Sequence, residues 1–471
     1  MRKSINARLS ELTAGSISSV DQVGLIKDAI NACGHDMASL GKRSVSAVLG
    51  RNPDDLSREL LELRQRGAPA SPRKSKRLLL YADPVDHRIR GAPRIFGGAP
   101  GRWSSIGAQL HNLARNDAKY PACLIDALLT GKHDEITRFG DPLKVIGQLG
   151  RAALCAAPGY ELICADFGAI ESRVVAWIAG EAWKLDNFKR YDETGDKNLD
   201  NYRSVAHRML KKTTSIADIT DAERQLGKCA ELACGFSGWT GAWRKIAHDT
   251  DVRSDDEVMA IIRSWRHAHP KICEFWDRLM QAARLSIRAK KAFRAMPAPH
   301  PEIITDFDGT DLTITLPSNR VINYPNARLT KNDKFEEGPP NIEFFDNARG
   351  KWKPARGWRG TFTENVVQGI ARDLLAATII RAETRSMKVV FHCHDELVIE
   401  APIGTIPEQD LLALLIEPPE WAVGLPLGGK VRSGPIYLEA PATAEPSAAQ
   451  PSIEHASDTD DRENEDHVSE D

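Results

Sequence analysis

Residues 160–180 read YELICADFGAIESRVVAWIAG. The first eight, YELICADF, form a β-rich apolar run and predict a strand. AIESRVVAWIAG follows at once with helical spacing. Asp166 therefore ends an apolar strand, where a carboxylate projects from a rigid edge. Taken alone, an acid after a strand more often caps the next helix. A second carboxylate site lies far along the chain. MKVVFHC (387–393) and LVIEAP (397–402) flank HDE and predict a hairpin with Asp395 and Glu396 at its tip. Adjacent acids in a turn are usually only solvated. As a pair from separate strands, Asp166 and Asp395 offer the hard oxygens that Mg²⁺-dependent phosphoryl transfer requires.

Between them lies ITDAERQLGKCAELACGFSGW (219–239). Thr220 with Glu223 three residues later is a capping-box signal for a helix start. Arg224, Lys228, Leu232 and Phe236 then recur every four residues, on one gently drifting helix face. Two cations one turn apart, then an apolar residue and an aromatic, suit a triphosphate and a base. An amphipathic helix with solvated cations is the plainer reading of that segment alone.

Outward from these segments, residues 1–80 show short helical periodicities, and 81–112 alternate strand-like pieces with Gly and Pro. The stretch 200–295 is mostly helical. DLTITLPSNRVINY (311–324) predicts a hairpin about Pro-Ser-Asn, and residues 363–385 a long helix. The chain of 471 residues is 42% hydrophobic and 27% charged, ordinary for a soluble protein. No apolar run spans a bilayer, and MRKSINARLSEL lacks an apolar signal core. Eight cysteines without a CxxC pair read as reduced thiols. The His392-Cys393-His394 triplet reads as a strand entering a turn rather than a zinc site. Nine acids and one arginine put −8 on residues 453–471, so the remainder carries +6 against a net −2. A mildly basic body favours a polyanionic partner. From about Ala440 onward, Pro, Ala, Ser and acids predict a disordered tail (440–471).

In this order the segments resemble the family A DNA polymerases. DFGAIESR (166–173) is similar to the family's first palm motif, and HDE (394–396) matches its last. Arg224-x-x-x-Lys228 resembles its nucleotide-binding helix. GRWSSIGAQLHNL (101–113), LPSNRVINY (316–324) and TENVVQGIARDLL (363–375) add matches closest to a phage and prophage branch. The similarity runs from about Ile5 to Glu439.

The resemblance implies an α+β right-hand fold with an antiparallel palm sheet, helical fingers and a truncated helical thumb. The corresponding bounds are 1–80 for a partial thumb, 81–185 and 301–439 for the palm, and 186–300 for the fingers. It implies a template-directed DNA polymerase adding dNTPs to a primer. Asp166, Asp395 and the Phe167 carbonyl would hold two Mg²⁺ ions, with Mn²⁺ as a substitute, and Glu396 completes the catalytic motif. Glu171 matches the residue that blocks a ribose 2′-hydroxyl. Arg224 and Lys228 match triphosphate ligands, with Lys228 also the proton donor to pyrophosphate. Leu232 and Phe236 match sugar and base contacts, and Tyr202 a phosphate contact. Arg102, Gln368 and His394 match primer–template contacts, and Lys74 and Lys76, with Ser71, fall in the thumb where backbone phosphates pass.

Three positions depart from the family pattern. Gly168 replaces a usual Ser. Ser237 replaces a usual Gly, so Gly238 is expected to take over the turn. Tyr202 stands where bacterial members carry His. The family's exonuclease domain has no counterpart here, and Met1 opens inside the thumb. This implies a separate exonuclease or processivity subunit in the cytoplasm of a bacterium or phage-infected host. An inactive DNA-binding remnant, or half of a split polymerase needing an N-terminal partner, is the alternative. A single-subunit RNA polymerase is disfavoured by Glu171.

Overall fold

The computed structural model describes residues 2–67, 71–98, 100–113, 121–247, 253–332, 338–347 and 351–438. The tail expected over 440–471 lies outside them. The chain forms two compact units, one of residues 1–93, 105–156 and 434–471, the other of residues 94–104 and 157–433. No helix among the described residues is long and apolar enough to cross a membrane.

In the first unit the helices Arg2–Leu12, Val23–Ala32 and Asp55–Gly67 bury Ile5, Leu9, Ile26, Ile30, Leu60 and Leu61 against one another. Gly67 is needed where it stands, because a Cβ there would come within 2.6 Å of Val20. A smaller cluster forms around Leu124, Ala127, Ile136, Val145 and Leu149.

The second unit is built on a four-stranded sheet of β1 (Tyr160–Phe167), β2 (Val389–Cys393), β3 (Glu396–Pro402) and β4 (Gly429–Gly434), in the order β2-β3-β1-β4. β1 is central, so Leu162 to Ala165 are buried on both faces, and the run reads as continuously apolar. Its antiparallel register with β3 sets Ile163 opposite Ile399 and Asp166 opposite Glu396. β2 and β3 form the expected hairpin, with His394 left-handed at its tip (φ 56°). His392 and Cys393 end the strand and His394 enters the turn.

Helix α1 (Ile170–Ala179) follows β1 after a two-residue turn and stops at Gly180, which takes the left-handed conformation (φ 71°) that ends many helices. The second predicted hairpin pairs Leu312–Thr315 with Val321–Tyr324 inside another antiparallel sheet, and Asn319 supplies its left-handed turn residue. Two further helices, α2 (Asn201–Met209) and α3 (Asp221–Cys234), pack against each other. Gly227 permits this: a Cβ there would stand 2.3 Å from the Tyr202 carbonyl oxygen. The long helix α4 (Arg359–Thr384) is buried around much of its circumference, with Phe362, Val366, Val367, Ile370 and Leu374 all in the core. A helix apolar on most sides belongs inside a large domain. Helices and antiparallel sheets thus make up the α+β fold expected from the sequence.

Candidate active site

The two sequence-predicted aspartates lie at hydrogen-bonded strand ends. Asp166 faces Glu396 in the β1–β3 register, and the Phe167 amide donates to the Asp395 carbonyl at 3.2 Å. Pairing of β1 with the hairpin thus sets Asp166 and Asp395 side by side in backbone terms. β4 approaches from the other side, where a Cβ on Gly429 would meet the Asp166 carbonyl oxygen at 2.6 Å. Only glycine allows so close a strand. Glu396 is buried and receives a short hydrogen bond from Arg432. Its charge is thereby countered inside the protein.

Two carboxylates with the Phe167 carbonyl beside them fit Mg²⁺, which takes one or two protein carboxylates and fills the rest of its octahedron with water and phosphate oxygens. Among the described residues no cluster of three or more His, Cys, Asp or Glu side chains suits a metal.

Beside Asp395 opens a cleft of about 180 Å³ that Arg102, Glu171, Tyr202, Leu232 and His394 also line. The residues named come from five separate stretches of sequence that converge there. Glu171 stands in the first turn of α1, with the Arg102 guanidinium 3.6 Å away. Burial in the cleft pushes its carboxyl up to about 7. Arg102 and a Gln368 hydrogen bond oppose the shift, and the charges of Glu364 and Asp395 add to it. Gln368 also donates to Glu364 at 3.2 Å. The capping box at Thr220 and Glu223 starts α3 as expected. Arg224 is gripped by Asp200 through two 3.1 Å hydrogen bonds and lies 5.4 Å from the Tyr202 ring centre. Lys228 is half-buried one turn on.

Two expectations are corrected. Phe236 does not share the helical face of Arg224, Lys228 and Leu232, because α3 ends at Cys234 and Phe236 falls in the turn beyond it. Gly238 does not take over that turn. Ser237 itself adopts the left-handed conformation (φ 64°), fully buried, and its hydroxyl finds no partner among the described residues. Lys74 and Lys76 belong to the other unit, on the helix Ser71–Tyr81, where Lys74 donates to the Asn112 carbonyl.

Sequence reasoning missed a buried polar cluster behind the cleft. Glu231, on α3, pairs with Lys184 and accepts from Ser172 Oγ (2.7 Å) and Trp265 Nε1 (3.0 Å). Ser172 follows Glu171, so the cluster ties α3 to the first turn of α1. It also missed Asp200, whose partner lies 24 residues away. Only the N-cap position of Asp200 before a helical run was readable locally.

No family model matches the chain. The chain is 30% identical to a DNA polymerase of Bacillus phage SP02 over 404 residues, which is 85% of this chain and 60% of that protein. It thus spans less than two thirds of that relative's length. Its fold is similar to the POL domain of Pol1 from M. smegmatis, solved in complex with DNA primer-template and dNTP. The TM-score is 0.53 at 15% identity, covering 92% of this chain and 66% of that one.

Proposed function

We propose that this chain is the polymerase portion of a family A DNA polymerase of the phage type and that it adds deoxynucleotides to a primer 3′-end on a DNA template, a reading supported by its similarity to a phage DNA polymerase and by its fold. The observation that carries the proposal is the pair of strand-end aspartates, Asp166 and Asp395, beside a cleft walled by Glu171 and α3. Two Mg²⁺ ions at Asp166, Asp395 and the Phe167 carbonyl would activate the primer 3′-hydroxyl and stabilise the leaving pyrophosphate. Arg224 and Lys228 neutralise the triphosphate, and Lys228 protonates the pyrophosphate as it leaves. Glu171 fills the space a 2′-hydroxyl needs and so selects deoxynucleotides. Leu232 and Phe236 take the sugar and nascent base, and Tyr202 takes a phosphate.

Arg102, Gln368 and His394 touch the primer–template minor groove. Its acceptors are nearly alike for all base pairs, so such contacts sense pairing shape without reading sequence. Lys74 and Lys76 contact backbone phosphates. In hand terms, residues 1–80 belong to the thumb, 81–185 and 301–439 to the palm, and 186–300 to the fingers. The partners are primer–template DNA and dNTPs, in a bacterial or phage-infected cytoplasm.

The test is extension of a labelled primer with Mg²⁺ and either dNTPs or NTPs, comparing wild type with an Asp166→Ala, Asp395→Ala double variant. Extension with dNTPs alone, lost in the variant, is the expected outcome. Folded wild-type protein that extends no primer, even with Mn²⁺, would sink the claim that this chain is active and leave the DNA-binding remnant or split enzyme in its place.

A further inference from the structure

Asp200 is the residue just before α2, and its carboxylate does two jobs at once. Oδ1 accepts from the backbone amides of Tyr202 (3.0 Å) and Arg203 (3.1 Å), which caps the helix. The same oxygen accepts from Arg224 Nε at 3.1 Å, and Oδ2 accepts from Arg224 Nη2 at 3.1 Å. The Nε–Nη2 edge of the guanidinium is therefore occupied by a carboxylate in the fork geometry that suits it. The other edge, Nη1 with the second Nη2 proton, carries no hydrogen bond to Asp200. The guanidinium also lies 5.4 Å from the Tyr202 ring centre. A second pair crosses the other way, since Arg203 of α2 bonds Asp221 of α3 at 2.8 Å.

We propose that Asp200 is a positioning residue for nucleotide binding, holding the Arg224 guanidinium by one edge so that its other edge meets the triphosphate. This rests on the polymerase reading of the site. An arginine side chain carries rotamer entropy that a binding site must otherwise remove when the ligand arrives. Fixing one edge removes that cost beforehand. Asp200 also caps the turn that carries Tyr202, so both phosphate-contact candidates depend on the same carboxylate. Gly227 keeps the two helices close enough for the grip.

Asp200→Asn separates the two jobs. Asparagine is as good an N-cap as aspartate, so the helix start survives while the charged fork is lost. Single-nucleotide incorporation of dATP opposite template T is measured for wild type, Asp200→Asn, Arg224→Ala and the double variant, with melting temperatures alongside. Asp200→Asn is expected to raise the KM for dATP about tenfold, the worth of one charge-assisted hydrogen bond, with kcat and melting temperature nearly unchanged. In the Arg224→Ala background the same substitution is expected to do almost nothing, because its route runs through Arg224. Asp200→Ser, another good cap, repeats the test should Asn fail to fold. An unchanged or lowered KM, or the same rise without Arg224, overturns the proposal while leaving the polymerase reading intact. A wild type that incorporates no dATP overturns the polymerase reading itself, and this inference with it.

Discussion

Glu171 meets solvent over 37% of its side chain, yet that side chain lines a cleft that Glu231 and Asp395 also line. Lost hydration dominates, Arg102 pulls against it, and Glu364 and Asp395 add repulsion. The carboxyl is pushed up to about 7, so at neutral pH it is a mixture of acid and carboxylate. The sign follows from the raised value. The fold favours the protonated form, so this contribution to stability is present below the ordinary glutamate range and is lost as pH rises through about 7. A carbon-detected NMR titration of the metal-free protein is expected to show one glutamate with a midpoint near neutrality. It should vanish in Glu171→Gln and move higher in Arg102→Ala, which removes the opposing charge. A Glu171 midpoint in the ordinary glutamate range would show that the cleft is more open to water than its walls suggest.

At the scale of elements, the buried cluster around Glu231 determines how α3 sits. Burial alone would raise the Glu231 carboxyl. The Lys184 ammonium against it, with hydrogen bonds from Lys184 and Ser172, holds it down at about 2. Burial, and then the Lys184 charge, hold the neighbouring His269 imidazole down to about 3. Both depressed values act in the same direction. The unfolded chain takes up protons on His269 from its ordinary value near 6.5 and on Glu231 near 4.5, whereas the folded chain does not. Stability is therefore expected to fall as pH drops from about 6.5 toward 3, visible as a declining melting temperature. Lys184→Met leaves Glu231 buried without its cation and is expected to cost about 3–5 kcal/mol in urea denaturation at pH 7. A loss under about 1 kcal/mol would mean that water or a shifted helix replaces the cation.

That cluster also marks the limit of what the sequence could tell. β1 with α1, both hairpins, the capping box and α4 were readable because their signals are local: periodicity, turn residues and caps within a few positions. The same holds for Asp166 and Asp395, which sit at the ends of such elements. Lys184 and Glu231 lie 47 residues apart, and Asp200 and Arg224 lie 24 apart. No local pattern links either pair, and only packing of helices brings them together. Ser237 failed for a different reason. Glycine at 238 was the natural occupant of a left-handed turn, but there a Cβ would stand 1.9 Å from the Ala233 carbonyl oxygen. Close packing claims that glycine, and the serine takes the strained conformation instead.

For the molecule as a whole, the charge distribution carries a consequence that no single element shows. Residues 453–471 hold −8 and the rest of the chain +6. A DNA duplex is a dense polyanion, and protein cations bind it by releasing its condensed counterions. On the proposed polymerase reading, a tethered segment of −8 is a competing polyanion at high effective concentration and is expected to lower the affinity of the basic body for DNA at low salt. Truncation after Ser452 turns the net charge from −2 to +6. The truncated chain is expected to bind primer–template duplex more tightly, by about tenfold at 50 mM salt. The gap should close by about 0.5 M, where screening reaches only a few ångströms. Fluorescence anisotropy of labelled duplex across a salt series measures both. Parallel salt curves would sink the competition argument, because a tail that binds the basic surface must flatten the salt dependence of the full chain. Equal affinities at every salt concentration would show that the acids stay solvated and apart from the DNA-binding surface.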